Sequence, residues 1–488
     1  MKIPIIIAFV FLVAFRTTAR TELLPNILLL AVDDMLYNTP SSFGGEIDGL
    51  TPNIDRLAGK GMRFTQAYNT SSRCAPSRGS MMTGHYQDSY NETPGSGDTT
   101  VKSSILTIPE LLKQKGYLTG LFGKDTHYKP IEKYNFDHIS PMAAMAVGRS
   151  PSLYAENVDA FIGQALKQKR PFFISVNTHD PHRPFAGAPG ERKSLENRFK
   201  SEIKKLAQKP AFILPPKVNK YSGNDVMAPR FVPDHKWVRE EFGYYLNSSH
   251  RADQFVGKII KTLERNKVLN NTLVIFLSDN GIHWPFAKSN AYVASVKTPL
   301  IVYWKGHSVA DTSSDRLVST IDILPTILEA TSITPPYSLP GKSLIPLLSN
   351  PMKEHHRNIF TTLNSKGSMG IEMRSVIGRE YIYIYNKWVD GNNLFYDGKY
   401  SGGLALKGFE AAAKNNDEVR QRLKFFYSRT PEELYHYRED PDALNNLLDQ
   451  DGQHSQLPAM RAKMLNKLKQ TQDPFLGDFE KLIGESGE

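Results

Sequence analysis

Cys74 is the only cysteine in this 488-residue chain and lies in the run Cys74-Ala75-Pro76-Ser77-Arg78, ahead of Thr83-Gly84. A single thiol forms no internal disulfide, and exported domains use cysteines in pairs, so its chemistry points to a reactive or modified side chain. The plain alternative is a small buried hydrophobe. Elsewhere in the sequence stand groups of complementary character. Asp33, Asp34, Asp279 and the amide oxygen of Asn280 are oxygen donors, a set suited to a hard divalent cation rather than to zinc, and calcium is the expected ion. Asp33-Asp34 taken alone also reads as turn punctuation or a helix cap. Arg78, Lys124 and Lys288 offer positive charge to the oxygens of a tetrahedral anion, with Lys297 a neighbouring alternative to Lys288. His127 and His182 are candidates for moving protons, with His179 the alternative to His182. His283, His355 and His356 read as structural or surface residues.

These residues matter together only if the fold gathers them. Pro25 to Val32 has the continuous apolar character of a strand buried on both faces. Thr51 as cap and Pro52 at the first helical position start a helix that stops near Gly61. A helix from Ile108 to Lys115 ends at Gly116 and feeds a strand from Tyr117 to Phe122. A helix from about Glu156 to Lys167 leads into a strand from Pro171 to Asn177, and a longer one from about Val238 to Arg265 precedes a strand from Thr272 to Leu277. This alternation predicts an α/β fold, a mostly parallel sheet covered by helices on both sides. The four strands end at Asp33-Asp34, at Gly123-Lys124 with His127, at His179-Asp180-Pro181-His182, and at Asp279-Asn280-Gly281. Ligands of open parallel sheets bind at the carboxyl ends of the strands, so four polar clusters at four such ends are expected to share one site.

With these residues in view, the chain resembles the type I sulfatases of the alkaline-phosphatase-like superfamily. The resemblance rests on CxPSR at residues 74–78 followed by Thr83-Gly84, on Pro25-Asn26-Ile27 through Asp33-Asp34, on Gly123-Lys124 and on Ser278-Asp279-Asn280-Gly281. Glu433-Leu434-Tyr435, Asp440-Pro441 and Asn446-Leu447 look like that family's closing motif. His179-Asp180-Pro181-His182-Arg183, Asn290 with Tyr292, and Met373-Arg374-Ser375-Val376 are most similar to the heparan N-sulfatases, which act on N-sulfoglucosamine. Two departures stand out: two residues separate Lys124 from His127, as in iduronate 2-sulfatase, and Lys288 stands where the heparan N-sulfatases carry arginine. The resemblance implies that Cys74 is converted by a maturing enzyme to formylglycine. The aldehyde hydrate then attacks sulfur beside a calcium ion held by Asp33, Asp34, Asp279, Asn280 and residue 74. It also implies that Arg78 supports the hydrate, that Lys124 and Lys288 bind sulfate, that His182 protonates the leaving group and that His127 assists elimination.

Composition bounds the rest. The formal charge is +10, and between Glu191 and Glu240 twelve Lys or Arg face six Asp or Glu. A basic rim that gathers a sulfated glycan is the functional reading of that stretch, and a solvated face the plain one. No zinc-finger spacing or ribonucleoprotein motif argues for nucleic acid. Lys2, the apolar run Ile3 to Phe15 and Thr17-Thr18-Ala19 read as a signal peptide over residues 1–19, too short to span a membrane. The expected product is exported: periplasmic or secreted, or lysosomal in an animal. A catalytic domain is expected over residues 20–355. Residues 356–488 should form a smaller domain, with alternating strands at Arg374 to Ile377 and Tyr381 to Tyr385 in an antiparallel sheet and a helix through Ala459 to Leu468. Two other functions fit the same residues: a phosphodiesterase or phosphonate monoester hydrolase of the superfamily, and a glycan-binding relative without catalysis.

Overall fold

The computed structural model describes residues 24–204, 213–364, 370–395, 402–448 and 454–485; the expected signal segment lies outside them. Asn26–Val32, buried along its whole length, is an inner strand of an eight-stranded sheet. Its order is His138–Ser140, Leu118–Phe122, Phe172–Asn177, Asn26–Val32, Thr272–Ser278, Leu300–Tyr303, Met62–Phe64 and Thr312–Ser314. Neighbours run parallel except around Leu300–Tyr303, which is antiparallel to both of its partners. The sheet is therefore mixed at one side and parallel where the site forms. Register there is tight: Ala31 pairs with Asn177, Val32 with Ser278, and Phe122 with Val176. The residues that follow these four strands emerge side by side at one edge.

Alternation along the inner strand divides two cores. Leu28, Leu30 and Val32 pack with Pro52–Lys60, Pro151–Lys167 and Lys236–Arg265 on one face. Ile27 and Leu29 face Cys74–Thr83, Ile108–Lys113 and Ile323–Ala330 on the other. Such two-sided burial demands the uninterrupted apolar run seen in the sequence. The helix expected from Glu156 begins earlier, at Pro151, because Ser150 caps it by accepting from the Leu153 N–H and Pro151 takes the first helical position.

A second sheet is antiparallel throughout, in the order Ile359–Leu363, Met373–Ile377, Tyr381–Asn386 and Glu432–His436. Phe360, Val376, Tyr383 and Leu434 point to Leu457–Thr471 and to Phe479 of the following helix. Ile359, Met373, Ile384 and Tyr435 point the other way, into a core shared with Trp284, Phe286, Tyr292 and Val293. The smaller sheet thus packs directly on the loop that follows Asp279-Asn280. Among the described residues no helix is long and apolar enough to cross a membrane.

Candidate active site

Cys74 opens the helix Cys74–Thr83, and Arg78, four residues on, lies one turn along the same face. All but Ala75 of that helix is buried, so both side chains are aimed at the sheet edge rather than at solvent. Arg78 Nε donates to Asp279 Oδ2 at 2.9 Å and Nη1 to Asn177 Oδ1 at 2.5 Å, while Nη2 stands 2.8 Å from Asp279 Oδ2 as a charge contact. Its guanidinium therefore ties two strand ends to the helix that carries the cysteine.

The Lys124 ammonium pairs with Asp33 Oδ2, and Lys288 Nζ lies 2.6 Å from Asp34 Oδ1 and 3.0 Å from Cys74 Sγ. Lys297, the alternative by sequence, instead covers the Tyr37 ring at 4.4 Å. Lys124 follows Gly123, whose φ of 74° and whose contact with Tyr154 and the Asn177 carbonyl leave no room for a Cβ. Asp33 N–H donates to the Asp180 carbonyl at 3.0 Å, and Asp180 is itself gripped by Arg149 and by Arg251, whose Nε lies 2.6 Å away. Buried ion pairs thus fix the segment 177–183 against the first strand.

The histidines fall into distinct positions. Arg198 Nη1 sits 2.7 Å from His179 Nε2; because a guanidinium only donates, that nitrogen accepts and Nδ1–H donates to Asp33 Oδ2 at 2.8 Å. His179 is therefore a neutral group behind Asp33. His182 donates Nδ1–H to the Arg183 carbonyl at 2.5 Å and turns Nε2 to the cleft, 3.7 Å from Asp34 Oδ2. Burial, then Lys288, pushes His182 well below the usual imidazole range; burial, then Lys124, does the same to His127. His283 stands with its Nδ1 3.6 Å from Asp34 Oδ2 and its ring 5.2 Å from that of His182, so a residue read as structural belongs to the site. His179, the alternative to His182 by sequence, also belongs to it, as do Asn177 and Arg198. The signal for the last two was the strand end at Asn177 and the basic stretch after Glu191, neither specific by itself. His355 and His356, in contrast, close on Asp322, whose oxygens also accept the Ser319 and Lys342 N–H groups. That carboxylate is already saturated.

Cation binding can be tested on the atoms themselves. Asp33 Oδ1, Asp34 Oδ2 and Asn280 Oδ1 are buried and accept no hydrogen bond. An unsatisfied buried acceptor costs free energy, and three from strand ends in one pocket make a ready oxygen ligand set. Asp33, Asp34, Cys74 and Asp279 also bring one ligand atom each within 4.8 Å of one another. The residues present therefore fit a hard divalent cation. Burial pushes the Asp279 carboxyl up to about 7 despite Arg78. Asp33 goes the other way: burial raises it, but Lys124 and the neighbouring histidines hold it well below the carboxylate range. Burial, then Asp279, drives the Cys74 thiol well above its ordinary value, which disfavours a thiolate.

Over these groups opens a cleft of about 910 Å³ lined by Cys74, His127, His182, His283 and Lys288, with Arg73, Lys129, Arg183 and Arg198 toward its rim. Asp33, Asp34 and Asp279 are balanced by Arg78, Lys124 and Lys288. A divalent cation added to that set leaves positive charge facing the cleft, an environment for an anionic group.

Residues 25–333 match the family model described as Sulfatase. The chain is 30% identical over 473 residues to N-sulphoglucosamine sulphohydrolase of Homo sapiens, covering 92% of this chain and 91% of that protein. It is 26% identical to an ulvan-active sulfatase of Formosa agariphila, covering 76% and 75% of the two chains. One solved structure, in complex with its substrate D-glucosamine-2-N,6-O-disulfate, superposes with a TM-score of 0.64 at 18% identity, over 92% of this chain and 98% of that one. Phosphonate monoester hydrolase of Agrobacterium radiobacter superposes with a TM-score of 0.59 at 17% identity, over 92% and 95%. At these identities the superpositions show the fold alone.

Proposed function

From the premise that the chain belongs to the sulfatase family and is a sulfuric ester hydrolase, we propose that it removes sulfate groups from a sulfated glycan, using residue 74 after conversion to formylglycine. The observation that carries this reading is the placement of the sole cysteine at the floor of a cationic cleft, with Lys288 Nζ 3.0 Å from its sulfur. N-sulphoglucosamine, named in the human relative, is the first substrate to test.

The converted side chain would supply a hydroxyl nucleophile, turning one displacement into two easier ones. A calcium ion on Asp33, Asp34, Asp279 and Asn280 would supply Lewis acidity. The remaining work falls to the chain's own residues. Lys288 and Lys124 hold the sulfate oxygens between them, while Arg78 fixes Asp279 and the first turn of the nucleophile's helix. His182 turns Nε2 to the cleft; since Nδ1–H is committed to the Arg183 carbonyl, Nε2 would first take up a proton from solvent and then pass it to the leaving oxygen or nitrogen, returning the ring to its neutral form. His127, which lines the same cleft, would take the proton that closes the cycle. Arg198 and His179 hold Asp33 from behind. Toward the rim, Arg73, Lys129 and Arg198 supply charge for further anionic groups of the glycan, while Arg183 is paired with Glu241 in the same lining.

Intact-peptide mass spectrometry across residue 74, on protein made with a formylglycine-generating enzyme, should show the aldehyde. The same protein should release sulfate from N-sulfated glucosamine oligosaccharides faster than from algal polysaccharide fragments. Active protein carrying an unmodified thiol sinks the mechanism; hydrolysis of a phosphonate or phosphate diester with no sulfate release sinks the substrate class.

A further inference from the structure

Lys288 sits in a loop whose shape is costly by itself. Phe286 and Ser289 both have φ of 61°, a conformation that non-glycine residues hold only where their surroundings enforce it. On the side of the nucleophile's helix, Ser289 N–H donates to the Ser72 carbonyl at 3.2 Å and Arg73 Nε to Ser289 Oγ at 3.1 Å. The opposite side is held from the C-terminal part of the chain.

Arg429 Nη2 donates to Asn290 Oδ1 at 2.7 Å, and the Nδ2 of the same amide donates to the backbone carbonyl of Lys288 at 3.1 Å. One side-chain amide thus joins the guanidinium to the peptide that carries the lysine. A second limb runs beside it. Arg429 Nη1 meets the Tyr292 hydroxyl, which donates to Glu433 Oε2 at 2.7 Å, and Glu433 also accepts from Tyr435 at 2.6 Å and Asn386 at 2.6 Å. Arg429 and Glu433 are 5% and 1% exposed, so among the described residues their charges are met by these hydrogen bonds and by the aromatic rings around the guanidinium. Its carbon lies 4.6 Å from the Phe286 ring centre and 5.1 Å from that of Phe426. Arg429 itself has φ of 52° at the end of the helix Asp417–Ser428.

We propose that Arg429, acting through Asn290 and supported by Tyr292 and Glu433, is a positioning residue that sets where the Lys288 ammonium stands between Asp34 and residue 74. Through it the smaller sheet shapes the anion site without touching substrate. This rests on the reading of Lys288 as a sulfate-binding group. It gives the Glu433-Leu434-Tyr435 motif a task that packing alone does not.

The test is Asn290→Ala, which cuts the link while leaving the aromatic cage in place, beside Arg429→Lys, which keeps the charge and loses the fork. Each variant should raise KM and the inhibition constant of inorganic sulfate together by about tenfold, the size expected from losing one hydrogen bond to a buried group. Each should change kcat less than KM. In a Lys288→Ala background, Asn290→Ala should add nothing further, because the two act as one unit. A crystal structure of Asn290→Ala should show Lys288 Nζ displaced from Asp34. Lys288 unmoved in that structure, or effects that multiply in the double variant, overturns the proposal. A wild type that neither binds nor releases sulfate would fail the functional reading instead, and the position of Lys288 in the variant would still decide the positioning role.

Discussion

At the scale of residues, the loss of Arg78 is costly because it is buried and pairs with buried partners at two strand ends, Asp279 and Asn177. Removing one member of a buried pair leaves the other charge uncompensated, at about 3–5 kcal/mol. Arg78→Ala is therefore expected to lower unfolding stability by that amount in urea titrations and to abolish sulfate release. The orphaned oxygens of Asp33, Asp34 and Asn280 make a separate prediction. Chelation should lower the melting temperature by several degrees, added calcium should restore it by mass action, and Asn280→Ala should weaken that response. Much of this site could be read from residue type, since acidic and amide side chains at strand ends have few other reasons to recur. His283 could not. Its place beside Asp34 comes from a loop in which Phe286 and Ser289 take left-handed backbone, a shape that local propensity does not encode.

The elements were legible where one physical signal dominated. Asn26–Val32 is buried on both faces and reads as an apolar run; Pro52–Lys60 announces itself by Thr51 and Pro52. Leu300–Tyr303 is as apolar, but four residues carry no information on direction, and its antiparallel course is set by the strands it joins. The turn after Thr272–Ser278 shows how tightly element ends are built. A Cβ on Gly281 would lie 1.8 Å from the Ala294 carbonyl oxygen, a backbone atom that cannot rotate away. Gly281→Ala should therefore displace Asn280 or unseat Val293–Val296, costing about 1–3 kcal/mol by overpacking. Thermal melts would register the loss, and weakened calcium stabilisation would show that the Asn280 amide, a proposed ligand, had moved.

For the whole molecule, buried ion pairs reinforce the apolar joints between layers. Arg374, in the smaller sheet, donates Nε to Asp473 Oδ2 at 2.6 Å and Nη2 to Asp88 Oδ2 at 3.2 Å, linking three distant segments. Asp322, between the nucleophile's helix and the crossover into that sheet, is held by His355 and His356. Burial raises its carboxyl, but the two histidines, His356 foremost, outweigh this and hold it far below the usual carboxylate range. A depressed carboxyl contributes stability that is complete above its unfolded value of about 3.9 and fades as the pH falls toward the folded one. Unfolding titrations between pH 6 and pH 3 should accordingly show wild-type stability falling below about pH 4, and Asp322→Asn should flatten that acid limb. A shared acid limb in the two proteins would assign it to other carboxylates. Such pairs leave little trace in a sequence, because their partners lie from 33 to 286 residues apart and neither carries a local signature. Two strands of the smaller sheet, Met373–Ile377 and Tyr381–Asn386, were visible as short alternations, whereas Ile359–Leu363 and Glu432–His436 at its edges were not.

Cys74 is 7% exposed and its helix is closed in by the sheet edge and the crossover. If residue 74 is converted as proposed, an enzyme that must grip the chain on both sides of it would find those flanks accessible before the helix Cys74–Thr83 packs, since all of that helix but Ala75 is buried afterwards. The yield of competent protein would then depend on the order of modification and collapse, and protein refolded from the unmodified chain should gain less activity from late exposure to such an enzyme than protein exposed to it during synthesis.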